Sequence, residues 1–310
     1  MTDKRTIANT LNEDRESLML SVLTGKATDA ATLASSFPAG ATKLATLYTS
    51  LRTKLGEDIT IERKGGLGAH WDFTAITTAS HTEHRIELKC SDKKLSAKEL
   101  AALPTQPWLI AVQFLQGQLK SAIGRRFLSA CGDTMMSAWF TERITAFCTA
   151  NATMLPTTCA EMTEAEYMTA MYDIGAKTKS NKTPGYAFIN ALRESKELAT
   201  KIKAEWKSFQ DTYLSINHPR AEDILAVVKE IIEVKDWWIC TTKTDVFLIE
   251  GLFVESVSFK ESKFLKDTRI LLYDMTVRPK SGMATQVPLE LRFHWKNGGQ
   301  GVQNINFLLK

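Results

Sequence analysis

The sequence predicts an α+β chain, and three patterns predict it. Apolar residues recur at helical spacing before residue 57 and again from about Asp133 to Val234. Segments between residues 58 and 90 alternate with period two, and the end from Asp236 to Lys310 is rich in strand formers. The implied division is 1–130 for N-terminal helices with a first set of strands, 131–235 for a helical insertion, and 236–310 for a strand-rich part that completes or extends the first.

Arg15 to Thr24 reads as a helix stopped by Gly25. Ala30 to Ser36 ends before Pro38, and Ala41 to Leu55 stops at Gly56, a residue type able to take the left-handed conformation that closes a helix. Leu44, Leu47, Leu51 and Leu55 form one stripe, suited to packing on a sheet. The first strand is Asp58 to Lys64, where Ile59 and Ile61 alternate with polar residues. Gly65, Gly66 and Gly68 then bend the chain; without a Lys-Ser/Thr ending and a following helix they are no phosphate cradle.

After Lys94 a polar linker leads to a predicted helix that Pro107 opens. Its apolar face holds Leu109, Val112, Leu115 and Leu119, with Gln113 and Gln116 as polar exceptions. In the insertion Leu198, Ile202, Trp206, Phe209 and Tyr213, then Ile224, Val227, Val228 and Ile231, form helical stripes that read as core. The end reads as the strands DWWICTTK, DVFLIEGLF, SVSFKES, RILLYDMTV, VPLELRFHW and VQNINFLLK, mostly antiparallel, the first suited to joining the early sheet.

The chemistry-bearing stretch runs from His70 to Lys94. In Arg85 to Cys90, period two puts Ile86, Leu88 and Cys90 on an apolar face and Arg85, Glu87 and Lys89 on the other. The preceding strand, Trp71 to Ala79, carries one acid, Asp72. A two-residue loop between them would pair Asp72 with Lys89 and set Glu87 diagonally about 7 Å away. A shift of one residue would turn Asp72 to the apolar face, so the pairing requires an even loop or a bulge. Two carboxylates beside a lysine suit a hard cation such as Mg2+, which takes oxygen ligands and keeps several waters. Other Glu-x-Lys triplets occur at Glu62-Lys64, Glu194-Lys196, Glu205-Lys207, Glu233-Lys235 and Glu261-Lys263, but only Glu87-Leu88-Lys89 joins an apolar middle residue to an upstream strand with a lone aspartate.

Asp72, fourteen intervening residues and Glu87-Leu88-Lys89 resemble the motif of the PD-(D/E)XK nuclease superfamily, over roughly Ala41 to Arg126; Trp71 stands where the motif has proline. The resemblance implies a restriction-endonuclease-like fold, a mixed central sheet flanked by helices. It further implies a metal held by Asp72, Glu87 and the Leu88 carbonyl, and a catalytic role for Asp72, Glu87 and Lys89. The implied function is Mg2+-dependent endonucleolytic hydrolysis of duplex DNA, open to sequence specificity of the restriction-enzyme kind and to a homodimeric assembly, because two strands need two centres. Alternatives are a nuclease of single-stranded or branched DNA or of RNA, and a non-catalytic nucleic-acid-binding protein on the same scaffold.

Composition sets the remaining bounds. With 44% hydrophobic and 24% charged residues the chain is that of an ordinary soluble protein. No apolar run is long enough to span a bilayer, and the polar start is no signal peptide, so an intracellular setting, cytoplasmic or else nuclear or viral, is expected. The five scattered cysteines form no zinc pattern. A net charge of +4 permits nucleic-acid binding without requiring it. The segments that would meet phosphates are Gln113 on the post-strand helix, the loop with Lys177, Lys179 and Lys182, and the connection carrying Lys260, Lys263, Lys266 and Arg269, with Arg292, His294 and Lys296 beyond it. His70, His81 and His84 read as strand-entry or turn residues.

Overall fold

The computed structural model describes residues 4–26, 28–37, 41–64, 71–90, 116–118, 133–172, 183–243, 245–265, 268–298 and 301–309. Three helices, α1 (Lys4–Leu23), α2 (Ala30–Ser36) and α3 (Ala41–Leu55), precede strands β1 (Ile59–Arg63), β2 (Phe73–Thr77), β3 (Glu83–Cys90) and β4 (Gln116–Gln118). Helices α4 (Asp133–Trp139) and α5 (Thr145–Ala150) are joined by a π-helical segment, Phe140–Ile144; α6 (Glu164–Tyr172), α7 (Pro184–Glu194), α8 (Lys196–Ile216) and α9 (Ala221–Ile232) follow. Strands β5 (Trp237–Thr241), β6 (Val246–Glu250), β7 (Leu252–Leu265), β8 (Thr268–Pro279), β9 (Thr285–Gly298) and β10 (Gly301–Leu309) close the chain. The fold is α+β, with a mixed sheet flanked by helices.

Two compact units share these elements, each assembled from separated stretches of chain. The first comprises Met1–Phe114, Lys229–Val254 and Val277–Thr285. Its sheet has the order β1-β2-β3-β5-β6. Pairing is antiparallel except between β3 and β5, which run parallel, so the strand DWWICTTK does join the early sheet. One face presents Ile59, Ile61, Phe73, Ala75, Ile86, Leu88, Trp237 and Ile239 to Leu44, Leu47 and Leu51 of α3, Leu33 of α2, and Met19 and Leu23 of α1. The helix ends match their sequence signals. Asp29 caps α2 by accepting the Thr32 N–H at 2.8 Å, and Gly25 and Gly56 take φ of 71° and 104° after α1 and α3.

The second unit comprises Leu115–Val228, Glu255–Thr276 and Gln286–Lys310. Its sheet has the order β4-β10-β9-β8-β7. Its helices enclose an aromatic cluster in which Trp139, Trp206, Phe209, Tyr167 and Phe188 are all buried; the Trp139 indole N–H donates to the Tyr167 hydroxyl at 2.7 Å. The stripe on α8 is therefore core, as its spacing predicts, with Tyr213 stacked on Phe209 at the margin. Gly185 lets α7 approach α6 closely, since a Cβ there would lie 2.2 Å from the Glu166 carbonyl oxygen.

Three expectations need correction. The loop between β2 and β3 has four residues, Thr78 to His81, where two were expected. The hydroxyls of Thr77, Ser80 and Thr82 hydrogen-bond one another and His81 takes a left-handed φ of 52°, so the turn absorbs Thr78 and Ala79. The segment DVFLIEGLF is not one strand: Gly251, at φ 46°, ends β6 and the chain enters the other sheet as β7. Gln116–Gln118, expected within a helix, is extended and pairs with β10. Gly117, a poor helix former, lies opposite Phe307 there.

Candidate functional site

The register of β2 on β3 pairs Phe73 with Ile86 and Thr74 with Arg85, where the expected register sets Phe73 against Leu88. The expected register is thus off by two residues, and Asp72, just before β2, donates its N–H to the Ile86 carbonyl. Two is an even shift, so every side chain keeps its face.

Asp72 is held from both sides. Its carbonyl accepts the Lys64 N–H at 2.8 Å and its own N–H donates to the Ile86 carbonyl at 3.0 Å. Its carboxylate Oδ2 accepts the Leu88 N–H at 2.8 Å, so the side chain stands where a main-chain acceptor would continue the ladder. Leu88 anchors β3 in the core, while Glu87 is 8% exposed and its Oε1 accepts a hydrogen bond from Lys89 Nζ. The neighbouring Trp71 is fixed by an indole N–H donated to Thr74 Oγ1 at 2.9 Å and by the Arg85 guanidinium over its ring.

Burial and the Glu87 charge raise the Asp72 pKa to about 7, against the opposing pull of Lys89 and the Leu88 N–H. Burial alone would push Lys89 down, but Glu87, its hydrogen bond, Asp72 and Cys240 together hold the ammonium above its usual range. Opposite β3, the parallel register sets Trp238 against Glu87 and Cys240 against Lys89. Trp238 is buried, and its indole N–H finds no acceptor among the described residues. Lys235, just before β5, is buried too. Its Nζ donates to the Ile231 carbonyl near the end of α9, and burial lowers its pKa to about 8 although Glu87 and Asp72 act to raise it.

This donor set fits a small hard cation. The Asp72 and Glu87 carboxylates interact beside the Leu88 peptide, and Asp72 is driven toward its protonated form first by burial and then by the Glu87 charge, a penalty that a divalent ion would relieve. Among the described residues no three or more of His, Cys, Asp and Glu gather as a metal-binding group, so two acids would be supplemented by water.

Four of the basic residues expected at phosphates hold carboxylates of the chain. Lys260 pairs with Asp274 at 3.3 Å, Lys263 with Glu261 at 3.7 Å, and Arg269 with Asp211 at 2.5 Å. Arg292 pairs with Glu290. Each would have to exchange an internal carboxylate for a phosphate. Gln113, Lys177, Lys179, Lys182, Lys266 and His70 lie outside the described residues. His81 is exposed in the turn, and His84 lies on β3 opposite Ala75. Sequence reasoning missed Lys235. Its signal was a lysine between an amphipathic helix and the apolar run Trp237 to Cys240, hidden by its membership of a discarded Glu-x-Lys triplet.

No protein-family model, curated protein or solved structure matches this chain. No helix among the described residues is long and apolar enough to cross a membrane.

Proposed function

We propose that this chain is a Mg2+-dependent endonuclease of the PD-(D/E)XK type, with a restriction-endonuclease-like core, hydrolysing phosphodiester bonds of duplex DNA. The observation that carries the reading is the buried Asp72 carboxylate, bonded to the Leu88 N–H and acted on by the charges of Glu87 and Lys89 on either side of that residue. Asp72, Glu87 and the Leu88 carbonyl would hold the ion, which supplies positive charge to phosphoryl oxygens and lowers the pKa of water. Lys89 exchanges its hydrogen bond with Glu87 for the attacking water and the developing charge on phosphorus. Asp72 stays fixed by the Leu88 N–H, so the geometry is preorganised by main chain.

The test is incubation of supercoiled plasmid with Mg2+, comparing wild type with Asp72→Ala and Lys89→Ala. Cleavage by wild type alone supports the reading, and discrete fragments rather than a smear support sequence specificity. Cleavage that persists in both variants overturns the assignment. Binding without cleavage by wild type replaces it with a nucleic-acid-binding role.

A further inference from the structure

Lys235 is 4% exposed, and burying an ammonium is costly unless its surroundings compensate. Two groups do so visibly. The Ile231 carbonyl accepts from Nζ, at the helix end that favours a cation, and the Trp238 ring centroid lies 5.3 Å from Nζ. Trp238 stands opposite Glu87 in the parallel register, and residues opposite each other on neighbouring strands share a face. The Lys235 ammonium is therefore over the indole on the face that carries Glu87 and Lys89.

On the nuclease reading above, we infer that Lys235 is an internal counter-charge of the Asp72, Glu87 and Lys89 centre, a positioning residue that makes divalent metal load together with substrate phosphate and not ahead of it. Once Asp72 gives up its proton, as it must to hold a cation, two carboxylates and two ammoniums sum to zero. A cation entering such a centre gains little, whereas with Lys235 neutralised the same centre would carry one net negative charge. A substrate phosphate restores the missing negative charge and so draws the metal in. Glu16 of α1 also acts on Asp72, but it is paired with Arg63 at 2.7 Å and leaves the balance unchanged. At neutral pH Lys235 remains mostly charged, since its pKa falls only to about 8.

The experiment is calorimetric titration of Mn2+ into wild type, Lys235→Met and Asp72→Ala, each alone and with a short phosphorothioate DNA duplex. Wild type should bind Mn2+ weakly alone and at least about tenfold more tightly with the duplex. Lys235→Met should bind Mn2+ alone about tenfold more tightly than wild type and gain less from the duplex. Methionine replaces a buried charge by apolar atoms of similar length, a change often neutral for folding; if a melting curve shows otherwise, Lys235→Gln serves the same comparison. A folded variant with unchanged or weaker Mn2+ affinity, or a wild type indifferent to the duplex, overturns the inference while leaving the nuclease reading intact, provided Asp72→Ala loses the ion. If wild type binds no Mn2+ in either condition, or Asp72→Ala binds as wild type does, both fall.

Discussion

Strands β1 and β3 belong to one sheet, two positions apart, and each has a glutamate and a lysine separated by one residue, the lysine directly following the strand in β1 and lying within it in β3. At the end of β1 the Glu62 and Lys64 side chains pair at 3.0 Å while 54% and 46% exposed; on β3 those of Glu87 and Lys89 are 11% and 25% exposed. Both pairs are made, but only one is desolvated. The middle residues explain it. Arg63 reaches out to Glu16 on α1, whereas Leu88 is driven into the core and draws its neighbours down with it. Asp72 lies between the two strands, bonded to Lys64 on one side and to Ile86 and Leu88 on the other, yet the Lys64 side chain turns to Glu62 while Glu87 acts on the Asp72 charge. An acid-base spelling becomes a site where a buried residue separates the pair and a second acid accepts that residue's N–H.

The largest expected effect breaks that geometry outright. Deleting Ala79 leaves an odd loop, which would turn Ile86 and Leu88 to solvent and Glu87 and Lys89 inward, so circular dichroism should show loss of cooperative folding. Deleting both Thr78 and Ala79 keeps the parity and should leave a cooperative transition, weakened by loss of the hydrogen bond from the Thr78 N–H to the Asp58 carbonyl. Next come the two substitutions of the centre. Asp72→Ala and Lys89→Ala should each lower plasmid cleavage by about a hundredfold or more in protein that circular dichroism shows to be folded, because each removes a group aimed at charge that develops only in the reaction. Lys89→Ala should also lower the melting temperature, since it leaves the buried Glu87 without its partner.

The raised Asp72 carboxyl gives a smaller, signed effect. The folded chain keeps this proton up to pH about 7, while the unfolded chain releases it near the ordinary aspartate value of 3.8. Between those values the folded state binds more protons, so metal-free stability falls as pH rises through the window, and above about 7 the contribution is flat. Asp72→Asn should remove this slope in denaturation measured at several pH values. Cleavage should run the other way, rising about tenfold per unit up to pH about 7, as the carboxylate form becomes available. Lys235 adds an opposite trend at higher pH: its folded pKa of about 8 lies below its ordinary 10.5, so stability rises with pH between those values, and Lys235→Met should flatten that rise.

What the sequence makes legible follows from periodicity. The leucine stripe of α3, the glycine stops at Gly25 and Gly56, and the two faces of β3 are all local patterns, and the structure has them. The pairing register depends instead on how many residues a turn consumes, and the hydroxyl network of Thr77, Ser80 and Thr82 has no periodic signature. The same holds for Gly251, whose φ of 46° divides one apolar run between two sheets. Lys235 enters the centre through a parallel pairing of β3 with β5, strands separated by about 150 residues, and no local pattern reports such a neighbour.

The smallest expected effect sharpens the comparison between β1 and β3. Replacing both exposed charges, Glu62→Gln with Lys64→Met, removes a pair whose attraction is screened by water and whose ordering costs entropy, so the denaturation midpoint should barely move. Plasmid cleavage should be unchanged, because Lys64 gives Asp72 only its main-chain N–H, which the substitution keeps. If chemical denaturation and cleavage both stay at wild-type values, the special character of β3 lies in Leu88 and Asp72 and not in the Glu-x-Lys spacing. A loss of cleavage in this variant would instead mean that Asp72 depends on Lys64 across the sheet, and the centre would have to be redrawn to include β1.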